Sequence, residues 1–253
     1  VPRASWSAGI TLANIVGFPL GTAAGQLGGW QAPFWMLAAL AVAAAVVVAR
    51  QLPADTSLRA ETAALKQPRL WLVYLATALI QAGIMGAYSY VASLLTERAH
   101  LASAVVPQAV LGIGALAGTT VGGRLGDRRP YTTLIPATAV TAAILGGITL
   151  WATNSVVAVA LVVLLGAAGF ANNPIVVGEV VRIAGAGRSL PMALATSAFQ
   201  VGIATGSWLG GIALTSSLGL KGPSLTGFAF ALAALLPLGL LAASHRKAAS
   251  ARS

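Results

Sequence analysis

The chain has 253 residues, of which 57% are hydrophobic and 8% charged; it has no cysteine and a mean hydropathy of +0.85. A water-soluble domain carries about 25% charged residues, so too little charge is present to cover an aqueous surface. This composition excludes a disordered chain, a disulfide scaffold and any cysteine-ligated metal centre, and it argues against an ordinary cytosolic enzyme.

Eight charge-free tracts run along the chain: 4–27, 31–49, 70–95, 105–123, 133–152, 156–178, 190–214 and 225–243. About 20 apolar residues at 1.5 Å rise cross a hydrocarbon core of about 30 Å, and each tract is long enough. The 15 basic and 5 acidic residues all fall between the tracts. Strands of a membrane barrel are about 10 residues long with alternating polarity, which these tracts lack. The prediction is an all-α membrane protein with eight transmembrane helices.

In chain order, the first tract carries Asn14 and the spacing Val16-Gly17-x3-Gly21-x3-Gly25, with Pro19 inside it. The second contains Phe34 followed by Ala38-Ala39-Leu40. Residues 50–69 then form the one long gap. Asp55 and Thr56 can cap a short helix there through Leu58, Ala60 and Leu65, which Pro68 stops. The seventh tract repeats the first as Val201-Gly202-x3-Gly206-x3-Gly210, and the eighth repeats the second as Phe230 with Ala233-Ala234-Leu235. Such echoes mark transporters built from related halves. The expected organisation is therefore the last two helices of one half (1–49), a linker (50–69), a six-helix half (70–243) and a basic tail (244–253).

Thirteen Lys and Arg fall on one side of the alternating gaps, and only Arg98 and Lys221 on the other. The positive-inside rule then puts both termini and the 50–69, 124–132 and 179–189 loops in the cytoplasm of an inner (plasma) membrane. These basic loops lack clustered base-stacking aromatics, so the charge sets topology and no nucleic acid is expected. Residue 1 is Val and no signal peptide precedes the first tract, so the chain reads as the C-terminal part of something longer.

Three stretches now resemble a known family. `GITLANIVGFPLGTAAGQLGGWQAPFW` resembles helices five and six of major facilitator superfamily exporters of the drug:proton antiporter type, with Gly17, Pro19 and Gly21 in their helix-five motif. `GGRLGDRRP` is similar to the family's Gly-x-Leu-x-Asp-Arg loop between helices eight and nine, with Pro130 where a Gly is usual. `ATSAFQVGIATGSWLGG` looks like helix eleven of the arabinose-efflux and chloramphenicol-efflux branch. The resemblance implies that the tracts are helices five to twelve of a twelve-helix fold. It also implies proton antiport, and a cytoplasmic latch at Asp127 and Arg128 whose partner is Arg182 or the start of the first tract.

Glycine ladders at 17, 21 and 25, at 114, 118 and 122, and at 202, 206 and 210 let helix backbones approach closely. The same smooth faces, Gly202 and Gly206 among them, can slide at an interface between halves. Mid-membrane polar residues are the substrate-cavity candidates, because an amide in hydrocarbon must be paired or wetted. Tyr74, Gln81 and Tyr88 share a face of the third tract; Gln200 shares one with Thr196 and Ser207, opposite the ladder. Asn172, Asn173 and Pro174 suggest a broken turn exposing backbone carbonyls, and Asn14 an interhelical hydrogen bond. The alternative for every amide is helix glue. Glu179 and Arg182 stand three apart and can pair with each other, which makes Glu179 an interfacial acid.

His100 and His245 fall in loops on opposite sides, and no HExxH, intramembrane carboxylate pair or Walker motif occurs, so no enzyme, cofactor or metal is expected. The combined reading is a secondary active transporter exporting a small, fairly apolar drug or sugar-like metabolite by alternating access. Its coupling to protons, and its state as a monomer when complete, come with that reading. The alternatives are an uncoupled facilitator or a non-transporting packing or sensor module. No Asp, Glu, His, Lys or Arg lies in any tract, and a tyrosine phenol titrates only near a pH of about 10, so a proton carrier is expected in the first four helices, outside this chain.

Overall fold

Long tracts of Ala, Leu and Val that leave no water for their backbone can satisfy it only as continuous helices. In the computed structural model, which describes residues 24, 28–29, 31–51, 58–98, 105–126, 130–151, 154–185 and 189–250, that is what they form. The helices are α1 (Ala32–Gln51), α2 (Leu58–Leu65), α3 (Pro68–Arg98), α4 (Val105–Gly126), α5 (Pro130–Trp151), α6 (Ser155–Ala184), α7 (Ser189–Thr215) and α8 (Gly222–Ser250). A 3-10 turn, Gly219–Lys221, joins the last two. No strand occurs among the described residues. Each charge-free tract from the second onward lies on a long helix, and the extra helix is α2, the short one expected in the linker. The first tract lies almost wholly outside the described residues, with Asn14, Gly17, Pro19 and Gly21.

Among the described residues, four helical segments are long and apolar enough to cross a membrane: Pro68–Tyr90, Pro130–Trp151, Val156–Ala184 and Gly219–His245. α7 has 27 residues, but its glycines, hydroxyls and Gln200 dilute its apolar character. The helix boundaries have local causes. Pro68 and Pro130 each occupy the first helical position, where a missing N–H costs nothing. Thus the proline that departs from the usual loop pattern serves to open α5. Asn154 caps α6, its Oδ1 accepting from the N–H groups of Val156 and Val157 at 3.1 and 3.2 Å. Gly185 ends the helix at φ 61°, donating its N–H to the Val181 carbonyl.

The chain divides into two compact units, Val1–Thr56 and Ser57–Ser253, and α1 belongs to the first. In the second, α3 is the hub, packed on α7, α8 and α6; α4 lies along α6, and α5 bridges α6 and α8. Leu70, Ile84, Leu145, Ile148, Leu165, Leu238 and Leu241 are the largest buried apolar side chains among the described residues. The outer surface remains apolar as well, with Leu75, Leu116, Val140, Leu164, Leu236 and Leu240 exposed. Water would not tolerate so large a patch, but lipid does. Trp71 and Trp151 stand exposed near the ends of their helices, where aromatic side chains meet the headgroup region.

Both described glycine ladders are packing surfaces. A β-carbon on Gly202 or Gly206 would collide with the Ala78 or Ala82 carbonyl of α3, and one on Gly114, Gly118 or Gly122 with the Val163, Ala167 or Ala171 carbonyl of α6. Backbones this close leave no room for a side chain.

Candidate binding cavity

α3, α6 and α7 enclose a cavity of about 280 Å³. Thr77 reaches it from α3, Asn173 and Val176 from α6, and Thr196, Phe199 and Gln200 from α7. The sequence positions this wall simply. The ladder Gly202–Gly206–Gly210 buries one face of α7 against α3, so the opposite face, with Thr196 and Gln200, stays open. Thr77 donates to the Val73 carbonyl at 2.7 Å and Thr196 to the Met192 carbonyl at 3.1 Å, which leaves both hydroxyl oxygens free to accept. Among the described residues, no ionisable side chain lines the cavity. It can hold an uncharged ligand by its apolar body and orient it through a few amides and hydroxyls.

The candidates from sequence divide here. Asn173, Thr196 and Gln200 converge on the cavity. Gln81 and Asn172 are buried in the protein, at 1% and 0% exposure. Tyr88 is half-buried against the core formed by Ala142, Leu145 and Ala231. Tyr74, on the same stripe, donates to the Pro191 carbonyl at 3.0 Å and packs inward. Ser207 meets Ser89 of α3, their hydroxyls 2.9 Å apart. The broken turn expected at Asn172–Pro174 does not form: α6 is helical throughout, with Pro174 inside it. A proline inside a membrane helix is tolerated where neighbouring helices surround it. Thr77 was missed, although it lies four residues before Gln81 and so shares its face.

A larger cavity of about 880 Å³ lies between α4, α5 and α6, lined by residues such as Gly118, Val121, Leu125, Pro136 and Ala168. Apart from Thr132 and Thr133 its walls are apolar, so little there could orient a ligand.

The 179–189 segment expected as a loop is helical as far as Ala184. At that end Glu179, 4% exposed, takes Arg182 Nη2 on both carboxylate oxygens, at 2.7 and 2.5 Å. Tyr131 of α5 also donates its hydroxyl to Glu179. The Arg182 guanidinium lies 5.6 Å from the Tyr131 ring centre, and the His245 ring of α8 is 5.4 Å from it. Arg69 of α3 donates to the Ser244 carbonyl at 2.7 Å. Four helices are thereby tied together at one end. The Glu179–Arg182 pair was legible from spacing; Tyr131 and His245 were not, since only the packing of α5 and α8 brings them there. Asp127 and Arg128 lie outside the described residues.

Comparison with known proteins agrees with this architecture. The Major Facilitator Superfamily pattern matches residues 4–189. A chloramphenicol resistance protein of Streptomyces lividans is 33% identical over 226 residues, 85% of this chain and 58% of that protein. The MFS-type transporter YtbD of Bacillus subtilis (strain 168) is 30% identical over 84% of this chain and 56% of its own. The inner membrane transport protein YdhP of Escherichia coli (strain K12) is 31% identical over 94% of this chain and 62% of its own. The chain thus spans about three fifths of the length of these curated relatives. The resemblance to the efflux branch, read first from the glycine-rich seventh tract, is met in these relatives. By the extent of the pattern match and these identities, the chain belongs to the major facilitator superfamily, a family of multi-pass membrane transporters.

Proposed function

We propose that the complete protein is a secondary active exporter of a small, uncharged and fairly apolar molecule, working by alternating access around the cavity between α3, α6 and α7. The observation that carries this reading is the convergence of Thr77, Asn173, Thr196 and Gln200 on one cavity without a charged wall. Amides used only as helix glue would be spent on interhelical contacts, whereas Gln200 stands exposed. The chloramphenicol resistance relative supports a drug-like cargo.

In the same reading the tracts are helices five to twelve, the protein sits in the inner membrane as a monomer, and export is driven by protons. The carrier of those protons belongs to helices outside this chain, because no Asp, Glu, His, Lys or Arg lies within its tracts. Asp127 and Arg128 act as the cytoplasmic latch. The charge asymmetry of the loops supports cytoplasmic termini. Cysteines replacing Ala54, Arg128 or Ser250 should then resist an impermeant thiol reagent in intact cells, while those at Ser103 and Ser217 label.

The deciding experiment uses a background freed of any cysteine, of which this chain has none. Thr196→Cys and Gln200→Cys in the complete protein should react with a small polar thiol reagent, and chloramphenicol should slow that reaction. Vesicles with an imposed pH gradient should export the compound. Unreactive cysteines would remove the cavity reading, and export indifferent to the gradient would make the protein a facilitator.

A further inference from the structure

α3 and α6 face each other through two matched stripes. Thr77, Gln81 and Ile84 of α3 fall four and three residues apart, and so share a helix face. Val176, Asn172 and Gly169 of α6 have the same spacings in reverse. The stripes meet at one end and border one cavity at the other. Ile84 lies over Gly169, where an added β-carbon would stand 3.0 Å from its Cδ1, and Thr77 and Val176 line the same cavity. Numbers rising along α3 therefore match numbers falling along α6. This register sets Gln81 opposite Asn172, one turn beyond Thr77.

Both amides are closed off from the surface, at 1% and 0% exposure. Neither Nε2 nor Oε1 of Gln81 finds a hydrogen-bond partner among the described residues, and neither does Oδ1 of Asn172. Nδ2 of Asn172 donates only to the Ala168 carbonyl of its own helix, at 3.4 Å. Buried amides left unpaired are costly, and apolar residues of similar shape would remove that cost. Helix glue does not account for them, because glue requires the bonds across the interface that are missing. The cavity floor, at Thr77 and Asn173, ends one turn from Gln81 and next to Asn172.

We propose that Gln81 and Asn172 are the inner end of the substrate site and recognise an uncharged amide or hydroxyl of the cargo. Gln81 Nε2 donates to it, and Gln81 Oε1 and Asn172 Oδ1 accept from it. The proposal rests on the cavity being the substrate site, and it adds the chemistry of the cargo: an apolar body bearing a neutral group that both donates and accepts.

In the complete protein, Gln81→Cys and Asn172→Cys should react with N-ethylmaleimide within about tenfold of the Thr196→Cys rate. Leu165→Cys, at a position 0% exposed, should stay inert. Reaction at 81 and 172 as slow as at 165 overturns the proposal. Chloramphenicol, which is uncharged and carries an amide and hydroxyls, is the chemical probe. The paired change Gln81→Leu and Asn172→Leu should weaken its protection of Thr196→Cys about tenfold or more, with folded yield held or raised. Because the leucines are apolar and near in size, this arm stands even where a cysteine variant fails to fold. Protection untouched by the leucine pair overturns the proposal and leaves the cavity reading intact; no protection at any position overturns both.

Discussion

Two interfaces in the second unit are built alike and yet differ in what they leave outside. On α4, Gly114, Gly118 and Gly122 press against α6; on α7, Gly202, Gly206 and Gly210 press against α3. Around the first ladder the exposed surface carries Leu116, Val121 and Leu125, and the nearby cavity is apolar. Behind the second stand Thr196 and Gln200, and the cavity there is mixed. The glycines settle how close two helices come, and the opposite face settles whether that closeness frames a binding site or a lipid-facing wall. A glycine ladder is thus a statement about packing alone.

The largest effect should strike both interfaces equally. Gly118→Leu and Gly206→Leu each drive a side chain into a neighbouring backbone, and each should destabilise by about 3 kcal/mol or more. Folded yield on detergent extraction measures this; a ladder that tolerates leucine would break the likeness between the two regions.

The next change should separate them. Gln200→Leu should lower export about tenfold, the loss of one or two neutral hydrogen bonds, with little change in yield. Val121→Thr, on the exposed side of α4, should leave export unchanged. Equal losses from both in a vesicle assay would remove the distinction between a binding face and a lipid face.

Glu179→Gln tests α6, the helix that lines both cavities. Gln keeps an acceptor for Tyr131 and removes the charge facing Arg182. Because the Arg182 side chain is 45% exposed, its ion pair is partly screened, and a loss of about 1 kcal/mol is expected. The thermal midpoint should fall by a few degrees, with cavity-cysteine reactivity unchanged. A shift in that reactivity would instead link this end of α6 to the cavity.

The smallest effect is expected from Ser89→Ala. It removes an exposed hydroxyl pair with Ser207 beside the α7 ladder and should cost no more than about 0.5 kcal/mol. A larger fall in midpoint would mean that hydroxyls, as well as glycines, hold α3 to α7.

Much of this protein is dictated locally. A charge-free tract of some twenty residues must be a helix in lipid, because no other form satisfies its backbone, and prolines and caps such as Pro68, Pro130 and Asn154 mark where each begins. Helical spacing alone also divides α7 into a glycine face and a polar face. Depth and neighbours are not local properties. Adjacent in sequence, Asn172 and Asn173 point about 100° apart on the helix, and only the positions of α3 and α7 decide that one is buried and the other lines the cavity. Likewise Gln81 and Gln200 look equivalent as mid-tract amides. The register between α3 and α6 buries the first one turn beyond the cavity, while the ladder that turns α7 leaves the second open, so the place of each at the site was decided by packing between segments far apart in the chain.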